Sequence, residues 1–271
     1  MNRTVVITGA SDGIGAAAAR MLAHPSDTLV LVGRSPAKTA AVAQQLEADS
    51  FTADFADLAQ VRELAGKLAA AYPRIDVLAN NAGGVMGRRE VTVDGHEKTF
   101  QVNHLAPFLL TTLLMDRLVE SRATVINTSS RAHRVFGRFD IDDLDAERKY
   151  ATNAAYGNAK VAVILFTREL QRRFGDHGIA AAAFHPGTVA TSFAHGSTSS
   201  MRMAQMPMAK RFLLTPEQGA DTLVWLASTV PGVDWVPGEY YAKRRIAKSS
   251  PAASDPDLAR RLWERSAAMV G

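Results

Sequence analysis

The sequence predicts an α/β fold: a single domain built on a doubly wound parallel sheet with helices on both faces. Three observations predict it. Apolar runs of strand length alternate with amphipathic helical stretches along the whole chain. The strand-length runs are apolar without strict alternation, as expected of strands covered by helices on both faces. The first run leads directly into a glycine-rich turn that opens a helix. The 271 residues are 47% hydrophobic, ample for a large core, and no linker, repeat or composition shift marks a second domain.

Thr4 to Thr8 reads as the first strand, followed by a helix through about Ala23. Thr28 to Val32 is the second strand and Ser50 to Ala53 a short third, with a helix from Asp57 to Tyr72 after it. Ile75 to Ala79 is the fourth strand. A long helix is expected from about Gly95 to Val119, bent at Pro107. Thr124 to Thr128 is the fifth strand, and Ala154 to Phe174 a long helix with Val163, Phe166, Leu170 and Phe174 on one stripe. Ile179 to Phe184 is the sixth strand. Thr215-Pro216-Glu217 starts a helix with proline in its first turn. Gly238 to Tyr241 reads as a last strand, Lys243 to Ser254 as a basic loop, and Pro256 opens a terminal helix through about Ala268; residues 243–271 form a C-terminal extension.

Composition excludes several classes. Charged residues at 21% fall short of a disordered polyelectrolyte. Net charge is +4, from 31 Lys+Arg against 27 Asp+Glu spread along the chain, so no basic block calls for nucleic acid. There is no cysteine, which removes disulfides, thiolate nucleophiles and cysteine metal sites and suits a reducing cytoplasm. No apolar run reaches the roughly 18 residues that span a bilayer. The apolar start is interrupted by Gly9, Asp12, Gly13 and Gly15 and is not read as a secretory signal. The histidines lack metal-ligand spacing, so no metal is expected.

Thr8-Gly9-Ala10-Ser11-Asp12-Gly13-Ile14-Gly15 lies between the first strand and its helix. Glycines let a backbone approach a pyrophosphate, and the helix start offers free N–H groups and a positive dipole end. The segment is therefore expected to bind a dinucleotide. Asp12 is a counter-signal, being an acid near the phosphates. The second strand ends Gly33-Arg34-Ser35, with Lys38 beyond. An arginine there suits a 2′-phosphate where NAD-binding folds usually place an acid, which favours NADP(H), with NAD(H) as the other possibility.

Tyr156 and Lys160 stand four apart, on one face of a helix. A neighbouring ammonium favours phenolate, so the pair suits proton transfer near neutrality. The spacing is weak by itself and gains weight from its place after the glycine loop and the fifth strand. That strand ends Asn127-Thr128-Ser129-Ser130, where a hydroxyl can meet a reacting oxygen beyond the sheet.

Together these residues resemble the short-chain dehydrogenase/reductase family, with its Rossmann-type sheet, over nearly the whole chain. Thr8 to Gly15 resembles the family's cofactor loop, and Asn80-Asn81-Ala82-Gly83 its fourth-strand motif lining the cofactor. Asp54, with Phe55 beside it, matches the residue that contacts the adenine. Asn103, Ser130, Tyr156 and Lys160 match the catalytic tetrad, Tyr156 and Lys160 also holding the cofactor. His185-Pro186-Gly187-Thr188-Val189-Ala190-Thr191 resembles the segment beside the nicotinamide. The resemblance is greatest to the retinol-dehydrogenase-like branch, through Val102-Asn103-His104-Leu105, Asp142-Asp143-Leu144, Leu165 to Leu170 and Leu262-Trp263-Glu264. Asn158 departs from the branch, which commonly has serine there. The branch's membrane-bound members carry an N-terminal anchor not read here, which counts against a retinoid substrate.

The resemblance implies hydride exchange between a nicotinamide and an alcohol or carbonyl carbon. Tyr156 would pass the proton, Ser130 orient the oxygen, Lys160 lower the phenol and hold the ribose, and Asn103 position water behind Lys160. Met201, Met203, Met206 and Met208, with Phe193, Phe212 and Leu213, suggest a lid over an apolar substrate within 191–215. His133, Arg134 and Arg138 border the pocket without a catalytic role. A non-catalytic, dinucleotide-bound regulator on the same fold is the alternative, though it does not require the tetrad. A carbon–carbon double-bond reductase would rely on cysteines that are absent. A homo-oligomer formed through the two long helices is a further expectation of the family.

Overall fold

The computed structural model describes residues 2–189 and 213–271. The expected lid, apart from residues 213–215, and Thr191 lie outside them. Eight strands form one sheet: β1 (Thr4–Thr8), β2 (Thr28–Gly33), β3 (Asp49–Thr52), β4 (Val77–Asn80), β5 (Thr124–Thr128), β6 (Ala180–His185), β7 (Tyr240–Ala242) and β8 (Arg245–Ile246). Their spatial order is β3-β2-β1-β4-β5-β6-β7-β8, and every pairing is parallel except β7 with β8. The order reverses between β1 and β4, which opens a crevice beyond their carboxyl ends.

The helices among the described residues are α1 (Gly13–Leu22), α2 (Pro36–Leu46), α3 (Leu58–Ala71), α4 (Lys98–Phe100), α5 (Ala106–Leu113), α6 (Met115–Ser121), α7 (Ala132–Val135), α8 (Thr152–Phe174), α9 (Pro216–Ser228) and α10 (Pro256–Val270). Successive strand residues feed two cores. Val6, Val30, Leu78, Val125 and Ala181 pack with α3, α5, α8 and α10; Val5, Ile7, Leu31, Ala79, Ile126 and Ala182 pack with α1, α2 and α9. Both faces of each strand are thus apolar, which explains the unbroken hydrophobic runs.

The observed elements differ from the sequence reading in four places. The helix α2, capped by Ser35 and opened by Pro36, was not expected between the second and third strands. The long helix begins at Lys98, capped by Glu97, whose carboxylate accepts from the Thr99 and Phe100 N–H groups at 2.8 Å each. Just before Pro107 it passes through a π turn at Gln101–Leu105, and it breaks again at Leu114. Proline has no N–H to continue an α ladder, and the wider turn just before it accommodates that loss. The short helix α7 was also unexpected. Finally, the basic segment after β7 forms a hairpin to β8 through Lys243 and Arg244, both at positive φ (52° and 58°).

Candidate functional site

The crevice is tied together by Thr8. Its hydroxyl donates to the Ala79 carbonyl at 3.2 Å and accepts from the N–H groups of Asn81 and Ala82 at 3.0 Å each. Asn81 Nδ2 returns a bond to the Thr8 carbonyl at 3.1 Å, and its Oδ1 accepts from the Thr128 hydroxyl at 3.3 Å. The loops after β1, β4 and β5 are therefore one unit. Gly9 adopts φ +67°, and a Cβ there would lie 2.8 Å from Ala82 Cα, so the position demands glycine both for conformation and for close approach. Asp12 caps α1, accepting from the Gly13 N–H at 2.7 Å. The acid that counts against phosphate binding in the sequence is thus spent at the positive end of a helix.

Those of the residues expected at a dinucleotide that the structure describes lie in the loop after β1 and the start of α1, in the loops after β2, β3, β4 and β6, and on α8. Arg34 and Lys38 are exposed beside the end of β2, and a Cβ on Gly33 would sit 3.0 Å from that of Ser11. Asp54 is half-buried, its carboxylate accepting from the Ala56 N–H at 3.0 Å. Phe55 turns its ring into the core. Pro186 and Gly187 follow β6, with the Gly187 N–H bonded to His185 Nδ1 at 3.1 Å. Val189 bridges to Leu214 and reaches the start of α1: a Cβ on Gly219 would meet Val189 Cγ2 at 2.6 Å and Ile14 Cγ1 at 3.2 Å. A glycine loop at a helix start, with two cations at the end of β2, fits a phosphate-bearing dinucleotide.

The four tetrad residues meet at one place. Tyr156 is 5% and Lys160 2% exposed on α8, with Lys160 Nζ 5.5 Å from the Tyr156 ring centroid. Lys160 Nζ donates to the Thr128 carbonyl at 2.9 Å. The Ser130 hydroxyl is hydrogen-bonded to the Tyr156 phenol. Ser129 faces away, donating to the Lys160 carbonyl at 2.9 Å, so it is the Ser130 hydroxyl of the pair that lies on the Tyr156 phenol. A Cβ on Gly83 would lie 2.5 Å from Asn103 Oδ1 and 3.4 Å from Lys160 Nζ, which places all three side by side. Asn103 sits in the π turn, a common location for functional side chains. Its Oδ1 accepts from the Gly84 N–H at 3.0 Å, and its Nδ2 donates to the carbonyls of Gly84 at 2.9 Å and Thr99 at 2.7 Å. Both amide donors are committed, so Asn103 braces the loop beside Lys160.

Burial dominates the charges. It holds Lys160 down to about 7 and pushes the Tyr156 phenol above its ordinary value, against the pull of the Ser130 hydrogen bond. The sequence leads one to expect a phenol depressed by the neighbouring ammonium. In this buried pair the cost of desolvating either charge decides instead.

Sequence reasoning missed what holds Ser130. The segment after it lies directly on α8: a Cβ on Gly157 would meet the Gly137 N atom at 2.7 Å. Asn158 Oδ1 accepts from the Arg138 N–H at 2.7 Å, giving the residue that departs from the branch pattern a bracing role. His133 is fully buried rather than at the pocket rim, with its ring against Tyr240 of β7. Among the described residues no cluster could hold a metal ion, and no helix is long and apolar enough to cross a membrane.

A glycine-rich crevice at the switch point of a doubly wound sheet, with a buried serine, tyrosine and lysine beside it, defines a dinucleotide-dependent oxidoreductase. Residues 3–202 match the family described as short chain dehydrogenase, and the chain belongs to that family, in its retinol-dehydrogenase-like part. A Streptomyces sp. (strain C5) protein, provisionally named daunorubicin C-13 ketoreductase, is 45% identical over 99% of this chain and 93% of its own. Human retinol dehydrogenase 13 is 38% identical over 99% of this chain and 85% of its own. The crystal structure of an uncharacterised protein from Mycobacterium paratuberculosis superposes with a TM-score of 0.79 at 32% identity, covering 99% of this chain and 93% of that one. An NADP active-site complex of Pseudomonas aeruginosa RhlG gives 0.69 at 25% identity, covering 88% and 93%. The chain is an oxidoreductase acting on CH–OH or C=O groups, of a family that binds a nicotinamide dinucleotide.

Proposed function

We propose that this protein is an NADP(H)-dependent oxidoreductase that interconverts an apolar carbonyl compound and its alcohol. The observation that carries the reading is the convergence of Ser130, Tyr156 and Lys160 beside the glycine-lined crevice. Bound there, the nicotinamide dinucleotide supplies or accepts the hydride. Gly9 to Gly15 would hold its pyrophosphate, Asp54 and the backbone of Phe55 its adenine, and Asn81 to Gly83 with Pro186, Gly187, Val189 and Thr191 the remainder. Arg34 would pair the 2′-phosphate.

In reduction, Tyr156 donates its proton to the carbonyl oxygen; in oxidation it receives one from the alcohol. Ser130, already bonded to that phenol, orients the same oxygen. Lys160 would hold the ribose of the bound dinucleotide, and it stabilises the phenolate that remains once the proton has left. Asn103 fixes the Gly83–Gly84 loop beside Lys160 and so the path along which the proton is replaced. The apolar substrate is supported by Val85 and Ala132 packed against Tyr156, by the exposed Val135 and Phe136 just beyond, and by relatives named for retinol and daunorubicin. A chain without cysteine suits the cytoplasm.

The test is a titration with NADPH and NADH, followed by a panel of ketones, aldehydes and alcohols with the tighter cofactor. NADPH binds more tightly and supports turnover, and Tyr156→Phe abolishes turnover while retaining most NADPH binding. Turnover undiminished in Tyr156→Phe removes the phenol from the mechanism. Binding without turnover on the whole panel favours a regulator.

A further inference from the structure

Ser130 leaves the end of β5 and turns at once into α7, and its hydroxyl accepts from the Ala132 N–H of that turn at 3.2 Å, so its aim depends on how firmly the turn is held. The Ser130 carbonyl is gripped twice by one residue. The His133 backbone N–H approaches it at 3.3 Å and His133 Nδ1 at 2.5 Å. A ring nitrogen facing a carbonyl oxygen must carry the hydrogen, which fixes the Nδ1–H tautomer. Burial holds the imidazole below its ordinary value against the pull of the Ser130 bond, and Arg134 and Arg168 act with burial, which favours the neutral ring. Nε2 is buried without a hydrogen-bond partner among the described residues, so the ring has no second polar tether. Packing supplies one: Tyr240, itself 2% exposed, stands edge-on at 5.0 Å and 80°.

We propose that His133 is a positioning residue for the transfer: its Nδ1–H locks the Ser130 carbonyl, and thereby aims the Ser130 hydroxyl at Tyr156, while Tyr240 keeps the ring in place. This rests on Ser130 orienting the substrate oxygen. The geometry around the pair is over-determined in the way such a role requires. Gly137 sits against the His133 carbonyl, where a Cβ would approach to 2.4 Å, and the Gly137–Gly157 contact with the Asn158–Arg138 bond fastens the far end of the turn to the helix bearing Tyr156.

Three substitutions separate the donor from the volume. His133→Asn offers an amide N–H near the Nδ1 place, His133→Gln moves it to the Nε2 place, and His133→Phe keeps a ring against Tyr240 without a donor. With NADPH and a carbonyl substrate, His133→Gln and His133→Phe lose on the order of ten- to a hundredfold in kcat at unchanged KM for NADPH, whereas His133→Asn retains most activity. In a Ser130→Ala background, His133→Phe has little further effect on kcat, because its influence passes through the missing hydroxyl. Cofactor binding and thermal unfolding accompany each variant, and the Asn–Gln contrast serves if the phenylalanine variant does not fold. A His133→Asn variant as slow as His133→Phe, or fully additive losses in the double variant, overturns the proposal. Wild-type turnover in Ser130→Ala overturns the reading of Ser130 itself, and the proposal with it.

Discussion

Lys160 carries the largest electrostatic tension at the site, a nearly buried ammonium with a carbonyl and an aromatic face for company. Its folded-state pKa of about 7 lies below the unfolded value of 10.5. Above the unfolded value neither state holds the proton and stability does not depend on this group. As pH falls from there towards 7, the unfolded chain takes up a proton that the folded chain refuses, so stability drops by about 1.4 kcal/mol per pH unit within that window. Below 7 both states are protonated and the dependence ends. Lys160→Met removes the whole effect. Urea unfolding at pH 7, 8 and 9 is therefore expected to show the variant's advantage over wild type greatest at pH 7 and shrinking as pH rises; a difference that is flat across the series contradicts it. The same tension suits the chemistry, since forming phenolate at Tyr156 relieves it.

At the scale of elements, α10 does more than end the chain. Leu262 is 1% exposed in the core beneath it, and Trp263 stacks against Phe166 at 5.8 Å and meets Phe108 edge-on at 5.0 Å. His104 of the π turn bonds Ser266 at 2.7 Å, so the helix is joined to the turn that presents Asn103. Leu262→Ala is expected to cost about 2–5 kcal/mol, read as a lower urea midpoint with an unchanged slope. Both α5 and α8, the helices through which a homo-oligomer is expected, are thus partly covered by their own chain. Much of this architecture was legible in the residues. β1, β5, α8 and α10 announce themselves by apolar runs and by stripes of period 3.6, and the tetrad by its order along those elements. The helix α2 was legible too, through a capping serine before a proline at Ser35-Pro36, but its apolar stripe is short, with only Thr39, Val42 and Ala43 buried. The β7–β8 hairpin was not. Its two-residue turn places Lys243 and Arg244 at positive φ, where hairpins ordinarily announce themselves by asparagine or glycine. The π turn and the burial of His133 were equally hidden, because both depend on contacts between segments distant in sequence.

For the whole molecule, acid is the condition under which these buried contacts fail. His104 is 1% exposed among Phe100, Phe108 and Phe166, and burial alone lowers its pKa to about 3. His185 beside the crevice is held down to about 4, by burial first and then by the Arg131 cation. Both are neutral in the folded state near pH 7. Above the unfolded value of 6.5 they do not affect stability. As pH falls through the window between 6.5 and these lowered values, the unfolded chain gains protons that the folded chain excludes, and stability falls with them. Because His104 links α10 to the π turn, its protonation places a buried charge, with no partner for Nδ1 among the described residues, at the joint between the C-terminal helix and the element carrying Asn103. His104→Gln places an amide near the Nε2 position, keeps a partner for Ser266 and cannot titrate. Urea midpoints measured from pH 7 to pH 4.5 are expected to fall steeply for the wild type and less steeply for His104→Gln, the two curves converging or crossing on the acid side. Parallel curves would mean that His104 is not among the groups that limit acid stability.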